Sequence, residues 1–400
     1  MDLNSTPSEN RVNIAFFGCR NAGKSSLVNA VTGQELSVVS EALGTTTDPV
    51  SKAMELLPLG PVVIIDTPGF DDSGELGEKR VKKTRETLNR ADIAVLVADG
   101  SQGLNDCDRE LLRLFKEKEL PYIIVYSKSD LCASPLPETA DSISVSAKDG
   151  TNINALKEKL AHLAPEGGGR RIIGDLLRAG DIAVLVTPID EAAPKGRMIL
   201  PQVQTIRDVL DAGAVNMVCR ETELEQTLRS LAKAPAVVVT DSQAFAFVSQ
   251  AVPQEIPLTS FSILMARYKG FLDTAVKGTR ALEALKDGDR VLIAEGCTHH
   301  RQCSDIGSVK LPRWINGFTG KELRYEFCSG REFPEDLAGY AAVVHCGGCM
   351  LGEREVLHRM RSTLEQGVPF TNYGTLIAHI NGILSRSVDC IAALEERARS

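Results

Sequence analysis

Runs of consecutive apolar residues recur along the chain, each closed by a polar turn and followed by a stretch of helical periodicity. In the first part they are VNIAFFG (12–18), PVVIIDTPG (61–69), DIAVLVADG (92–100), PYIIVYSKSD (121–130) and SISVSAK (142–148). A strand buried on both faces needs no alternation of polar and apolar positions. Near-continuous apolar strands separated by helices therefore predict a parallel sheet covered on both sides. The helices are expected at 24–33, 76–91, 106–118 and 152–163. APEGGGRR (164–171) then breaks the pattern, because three successive glycines support no periodic structure. A second α/β stretch follows with DIAVLVTPID (181–190), a helix from near Pro201, AVNMVC (214–219) and PAVVVTDSQA (235–244). A further boundary is expected between Pro257 and Gly278. Beyond it lie DRVLIAEG (289–296), AGYAAVVHCGG (338–348), a helix near 352–366 and VPFTNYG (368–374). DIAVLV occurs at 92 and at 181, but nothing around the two copies matches, so they read as two buried strands and not as a repeat.

The first strand and helix enclose GCRNAGKSS, Gly18 to Ser26, which fits G-x-x-x-x-G-K-[ST] in the strand–loop–helix context that a phosphate-binding loop requires. Glycine lets backbone N–H groups turn inward, and the following helix points its positive end at the same anion. Gly18, Asn21, Ala22, Gly23 and Ser26 are expected to line the phosphates. Lys24 can reach the β- and γ-phosphates, and the Ser25 hydroxyl can bind Mg2+. DTPG follows at the end of a strand, where Asp66 suits the magnesium shell and the Gly69 amide can sense the γ-phosphate. Lys24, Asn21, Asp66 and Gly69 are the candidate catalytic residues. In YSKSD (126–130), Asp130 can accept both donors of a guanine edge while the Lys128 stem lies along the base; such bidentate recognition rejects adenine. In SAK, Ser146, Ala147 and Lys148, a backbone amide can meet the guanine oxygen. Any one of these segments occurs by chance. Their order and spacing together indicate a GTP-binding protein.

Composition narrows the setting. Of 400 residues, 43% are hydrophobic and 24% charged, the balance of a globular protein, and the net charge of −8 counts against a nucleic-acid or anionic-membrane partner. The amino terminus, MDLNSTPSEN, lacks the basic and apolar regions of a signal peptide, and no apolar run approaches the ~18 residues of a bilayer span. The expectation is a cytoplasmic protein, in which ten cysteines are not five disulfides. Three of them stand out. Cys297 opens CTHH directly after one apolar strand, and Cys346 and Cys349 lie in HCGGC directly after another. Ligand sites form at such carboxyl ends of strands. A tetrahedral zinc site completed by His299, His300, Cys303 or His345, an iron–sulfur cluster and a redox dithiol all remain open on this chemistry.

Residues 12–165 resemble the translation-factor-related GTPases, in the branch of tRNA-modification and ribosome-assembly GTPases. Ser127 stands where that branch usually has asparagine. GTTTD (44–48) resembles its switch I, and Thr46 matches its magnesium-binding threonine. Phe70 occupies the position of a water-orienting glutamine, and Asn21 matches the asparagine of similar GTPases that hold K+. The whole chain, with C-x-H, 45 intervening residues and H-C-x-x-C in its last part, resembles the HydF family, scaffold GTPases of [FeFe]-hydrogenase maturation. That resemblance implies three α/β domains: a P-loop GTPase domain (8–165), a middle dimerisation domain (172–262) and an iron–sulfur domain (270–400). It implies a [4Fe–4S] cluster on Cys297, Cys346 and Cys349, with His299 and His345 as neighbours. It also implies a 2Fe precursor delivered to apo [FeFe]-hydrogenase, radical-enzyme maturases as further partners, and a homodimer. Ser304 and Asp305 lie close enough in sequence for a fourth, non-cysteine ligand, with the Asp305 carboxylate the better candidate, while Cys303 and Cys328 fall outside the pattern. The other reading is a redox- or zinc-dependent regulatory GTPase of the tRNA-modification or ribosome-assembly type.

Overall fold

A computed structural model of the chain describes residues 11–34, 49–70, 75–132, 138–164, 170–189, 198–297, 305–330 and 332–399. It divides into two compact units, Met1–Gly168 and Gly169–Ser400.

The first unit runs β1 (Val12–Phe17), α1 (Lys24–Thr32), β2 (Val50–Leu56), β3 (Gly60–Asp66), α2 (Glu75–Arg90), β4 (Ile93–Asp99), α3 (Asp106–Glu117), β5 (Tyr122–Ser127), β6 (Ser142–Ser144) and α4 (Ile153–Leu163). Its six strands lie in the order β2-β3-β1-β4-β5-β6. All neighbours are parallel except β2, which pairs antiparallel with β3 at the edge. The central strands are buried on both faces: Ile93 to Ala98 have no exposed surface. Each large apolar side chain removed from water there contributes about 1.5–3 kcal/mol. Strand β2 carries no apolar run because it is an edge, with Leu56 as its one buried residue. Pairing with β3, and not its own pattern, makes VSKAMEL a strand.

The second unit runs β7 (Ile182–Val186), α5 (Leu200–Asp211), β8 (Val215–Cys219), α6 (Leu224–Ser230), β9 (Val237–Thr240), α7 (Phe245–Ala251), β10 (Leu258–Ser260) and α8 (Phe261–Tyr268). It continues through α9 (Leu272–Gly278), α10 (Ala281–Ala284), β11 (Arg290–Glu295), α11 (Leu311–Thr319), β12 (Arg324–Ser329), β13 (Ala342–His345), α12 (Glu353–Glu365), β14 (Phe370–Asn372), α13 (Tyr373–Ile380) and α14 (Leu384–Arg399). Two parallel sheets result, β10-β9-β7-β8 and β12-β11-β13-β14. The segment 257–278, expected as a boundary, holds β10, α8 and α9, and the two sheets share one apolar core that includes Val184, Val239, Leu264, Ile293, Val344 and Ile377. The last helix returns to the first of these sheets. On α14, the Cys390 thiol donates to the Leu258 carbonyl, and Arg386 donates to the carbonyls of Ser249, Val252 and Pro253. Arg397 and Glu395 on the same helix pair with Asp181 and Arg267. Among the described residues no helix is long and apolar enough to cross a membrane.

Candidate functional site: phosphate loop, guanine pocket and cysteine loop

The phosphate loop leaves β1 at Gly18, whose φ is +146° and where an added Cβ would lie 2.2 Å from the Val97 carbonyl oxygen of β4. Only glycine fits so close to a neighbouring strand. Asn21 and Gly23 take left-handed φ values of +60° and +87°, and α1 starts at once with Lys24. Lys24 is 7% exposed, and its Nζ donates to the carbonyls of Gly18 (2.9 Å) and Cys19 (2.6 Å). The ammonium thus sits inside the loop's curve. Ser25 Oγ donates to Asp66 Oδ2 at 2.8 Å, so two hard oxygen donors from α1 and β3 converge, a set that suits Mg2+. Thr67 anchors the segment after β3 by donating from Oγ1 to the Phe16 carbonyl at 2.6 Å, and the Phe70 amide reaches Gly18 O at 3.4 Å. DTPG therefore runs beside the phosphate loop. Thr46 and the switch I segment lie outside the described residues.

The guanine elements meet across β5 and β6. Lys128 adopts φ +57°, and its Nζ pairs with Asp99 Oδ2 at 2.7 Å. Against desolvation, which acts to raise it, hydrogen bonds from Lys128 and Ser101 hold the Asp99 carboxyl below its ordinary value. The exposed Asp130 accepts from the buried Ser146 Oγ at 2.9 Å, and the Ser129 amide donates to Val145 O, which joins YSKSD to SAK. Asp99 escaped sequence reasoning; its signal was a carboxylate closing an apolar strand.

Ser127, at the end of β5, braces the phosphate loop. Its hydroxyl, 4% exposed, lies 2.6 Å from Ala22 O in the phosphate loop and 3.1 Å from Ala98 O, and its one hydrogen can serve either. Ser127→Ala should leave these buried carbonyls short of a donor. A loss of about 1–3 kcal/mol is expected in denaturant unfolding, together with weaker GDP binding. An unchanged unfolding midpoint would show that this bridge is idle.

In the second unit, β11 and β13 are parallel neighbours, with Ala294 opposite His345. Cys297 and Cys346 follow their carboxyl ends, and Cys349 follows Cys346 around a turn in which Gly348 has φ +66°. None of the three is in a disulfide, and all are partly buried. The amides of Gly296 and Gly348 donate to Cys346 Sγ at 3.1 and 3.3 Å. Desolvation dominates and holds the Cys346 thiol above its ordinary value, with these two donors acting against it. Amides aimed at a sulfur favour its thiolate, the form that binds metal. Asp305, 4% exposed, uses Oδ2 to accept from the Ser308 amide and hydroxyl at 2.7 and 2.8 Å, the bonds of a helix cap. Glu295 is a second buried carboxylate, 5% exposed, which accepts from the Tyr373 hydroxyl at 3.1 Å and lies close enough to Cys346 to raise its thiol. His299, His300 and Cys303 lie outside the described residues.

His345 is fully buried and turned away from a ligand's role. Its Nε2 lies 3.4 Å from Arg359 Nη1 and its Nδ1 2.8 Å from Cys346 O. Arg359 can only donate, so the ring proton belongs on Nδ1 and is given to the Cys346 carbonyl. Burial first, and the Arg359 charge second, push its pKa down to about 3, which keeps the ring neutral. Arg359, on α12 and 1% exposed, also donates to Gly330 O and pairs with Glu355, both at 2.7 Å. Lys269, equally buried, donates to Leu351 O at 2.6 Å. Two buried basic side chains thus brace the cysteine loop, one on α12 and one directly after α8. Neither carried a motif.

Residues 13–128 match the family model described as a 50S ribosome-binding GTPase. The chain is 36% identical over 192 residues to the GTPase Der of Wolinella succinogenes, covering 44% of this chain and 40% of that protein. It is likewise 36% identical over 154 residues to the tRNA modification GTPase MnmE of Neisseria meningitidis, covering 37% and 34%. The chain thus spans well under half the length of these relatives. The solved structure of Era from Aquifex aeolicus is similar at 19% identity and a TM-score of 0.36, over 56% of this chain and 98% of that one. The first unit is a P-loop GTPase domain. Residues 172–270 match the hydrogen maturase F dimerization domain, and residues 273–390, within the stretch 270–400 that the resemblance implied to be an iron–sulfur domain, match the hydrogen maturase F tetramerization domain. With both of these oligomerisation domains behind its GTPase domain, the chain belongs to the hydrogen maturase F family.

Proposed function

We propose that this chain is a GTP-hydrolysing scaffold that holds a [4Fe–4S] cluster on Cys297, Cys346 and Cys349. It would carry a 2Fe precursor as cargo and deliver it to apo [FeFe]-hydrogenase, after receiving it from radical-enzyme maturases. The observation that carries this reading is the placement of the cysteines. They follow the ends of two adjacent parallel strands, with two backbone amides directed at the Cys346 sulfur, in a unit matched by both hydrogen maturase F domains. When bound, a cluster supplies soft-sulfur iron chemistry. The chain's own part is to present thiolates, hold the loop with His345, Arg359 and Lys269, and keep the Glu295 side chain buried near Cys346. The GTPase domain is the switch, and the two oligomerisation domains support assembly of several copies.

The test is iron, acid-labile sulfide and zinc content after anaerobic reconstitution, beside Cys297→Ala, Cys346→Ala and Cys349→Ala. About four irons and four sulfides per chain, lost in each variant, is the expected result. Stoichiometric zinc without iron would favour a structural tail and a regulatory GTPase. A second expectation concerns the nucleotide. Phe70 offers no polar group to orient water, and Asn21 sits in the loop at φ +60°, so a monovalent cation there is expected to assist charge development between phosphates. Hydrolysis should be several-fold faster in K+ than in Na+ at equal ionic strength; equal rates would remove the cation from the mechanism.

A further inference from the structure

The thiols of two cysteines have no role in either site described above. Cys19 stands in the phosphate loop, 7% exposed, and Cys107 is the second residue of α3, half-buried. They are 88 positions apart in sequence, yet their Cα atoms are 6.5 Å apart and their sulfurs are joined. That separation lies within the range a disulfide spans, about 4.4–6.8 Å. The same backbone also suits the separate thiols. Asn105 Oδ1 lies 3.3 Å and Asp108 Oδ1 3.5 Å from Cys19 Sγ, acceptors that a thiol can use and a disulfide sulfur, having no hydrogen, cannot. Both acceptors are fixed independently of the cysteines by the capping box of α3: the Asp108 amide donates to Asn105 Oδ1 at 2.9 Å and the Asn105 amide to Asp108 Oδ2 at 3.2 Å. Either redox state therefore finds partners with both Cα atoms in place. The Cys19 carbonyl, in turn, accepts from Lys24 Nζ, so the pair is one residue's backbone away from the phosphate-binding ammonium.

We propose that Cys19 and Cys107 are a reversible thiol–disulfide site through which a small-molecule disulfide slows nucleotide exchange. The proposal rests on the phosphate loop binding GTP and GDP. The more exposed Cys107 thiolate attacks one sulfur of the small disulfide; that S–S bond breaks, and one small thiolate leaves. The Cys19 thiolate then attacks the Cys107 sulfur of the mixed disulfide and releases the second small thiolate. Two protein thiols are oxidised, one small disulfide is reduced to two thiols, and the two cysteine protons end on them. The closed bridge ties the loop's entry to α3. An opening motion that releases nucleotide must then carry α3 with it, and rebinding has less loop to order.

The test uses the full chain equilibrated anaerobically over a range of reduced to oxidised glutathione ratios. A fluorescent GDP reports release, and peptide mass spectrometry after thiol blocking reports the cross-link. The Cys19–Cys107 peptide should appear as release slows by about fivefold or more. Dithiothreitol should restore the rate, and Cys107→Ser, which leaves the phosphate loop intact, should bind GDP and release it at the reduced rate in every buffer. A cross-link with unchanged release, or its absence at every ratio, would overturn the proposal. So would one zinc per reduced chain that Cys107→Ser loses, since Cys19, Cys107 and Asp108 also gather their ligand atoms within 4.8 Å. Failure to bind GDP in any buffer would overturn the nucleotide reading as well; tight binding with unchanged release would overturn the redox proposal alone.

Discussion

Lys24→Ala is expected to lower GTP hydrolysis by at least two orders of magnitude. The ammonium is held inside the phosphate loop by two carbonyls, at 2.9 and 2.6 Å, with 7% of the residue exposed. It is a charged donor already placed where phosphate charge develops, so no reorganisation is needed during reaction. Removing one such preorganised donor costs about 10²–10³ in rate. The same change strands two carbonyls and is expected to take about 1–3 kcal/mol from the stability of the first unit. Phosphate release with excess Mg2+ and GTP, run beside denaturant unfolding, separates the two effects. A rate within about threefold of the parent's would show that this loop is not the catalytic phosphate site.

Arg359→Met should have the largest effect on the second unit. The guanidinium is 1% exposed and connects three places: the Gly330 carbonyl after β12, Glu355 one helical turn earlier on α12, and His345 at the end of β13. Removing one partner of a buried ion pair costs about 3–5 kcal/mol, because the remaining charge stays desolvated. Here the Glu355 carboxylate and a backbone carbonyl are both left, and His345 loses the donor that fixes its tautomer. Guanidinium unfolding should show a midpoint shift of that size, and the anaerobically reconstituted variant should retain less iron. The double variant Arg359→Met/Glu355→Leu tests the cause: removing the orphaned carboxylate should recover much of the stability. No recovery would mean that the loss came from packing instead.

The two sites differ in how far they could be read in advance. In the nucleotide site, Gly18, Lys24, Ser25, Asp66, Lys128 and Asp130 announce themselves, because a triphosphate and a guanine edge need fixed residue types at fixed distances from strand ends. Apolar runs likewise announce β1, β3, β4 and β5, since strands covered on both faces cannot hide polar residues. Strands β2, β10 and β12 were not legible: β2 and β12 are edges with exposed positions, and β10 is three residues long. Their pairing partners make them strands.

The sequence by itself determined the GTP chemistry, the parallel α/β class and the three cysteines that share strand ends. Those properties depend on residue types within one loop or one run. Only the tertiary structure decided that the second and third α/β stretches share a core, because a core is a matter of which apolar faces meet and not of how many there are. It alone turned His345 toward Arg359 and Cys346 O and placed Glu295 beside Cys346. It also brought Ser127 to Ala22 across 105 positions, and Cys19 to Cys107 across 88. Contacts between residues so distant along the chain have no local signature; they exist once the strands have been ordered in the sheet.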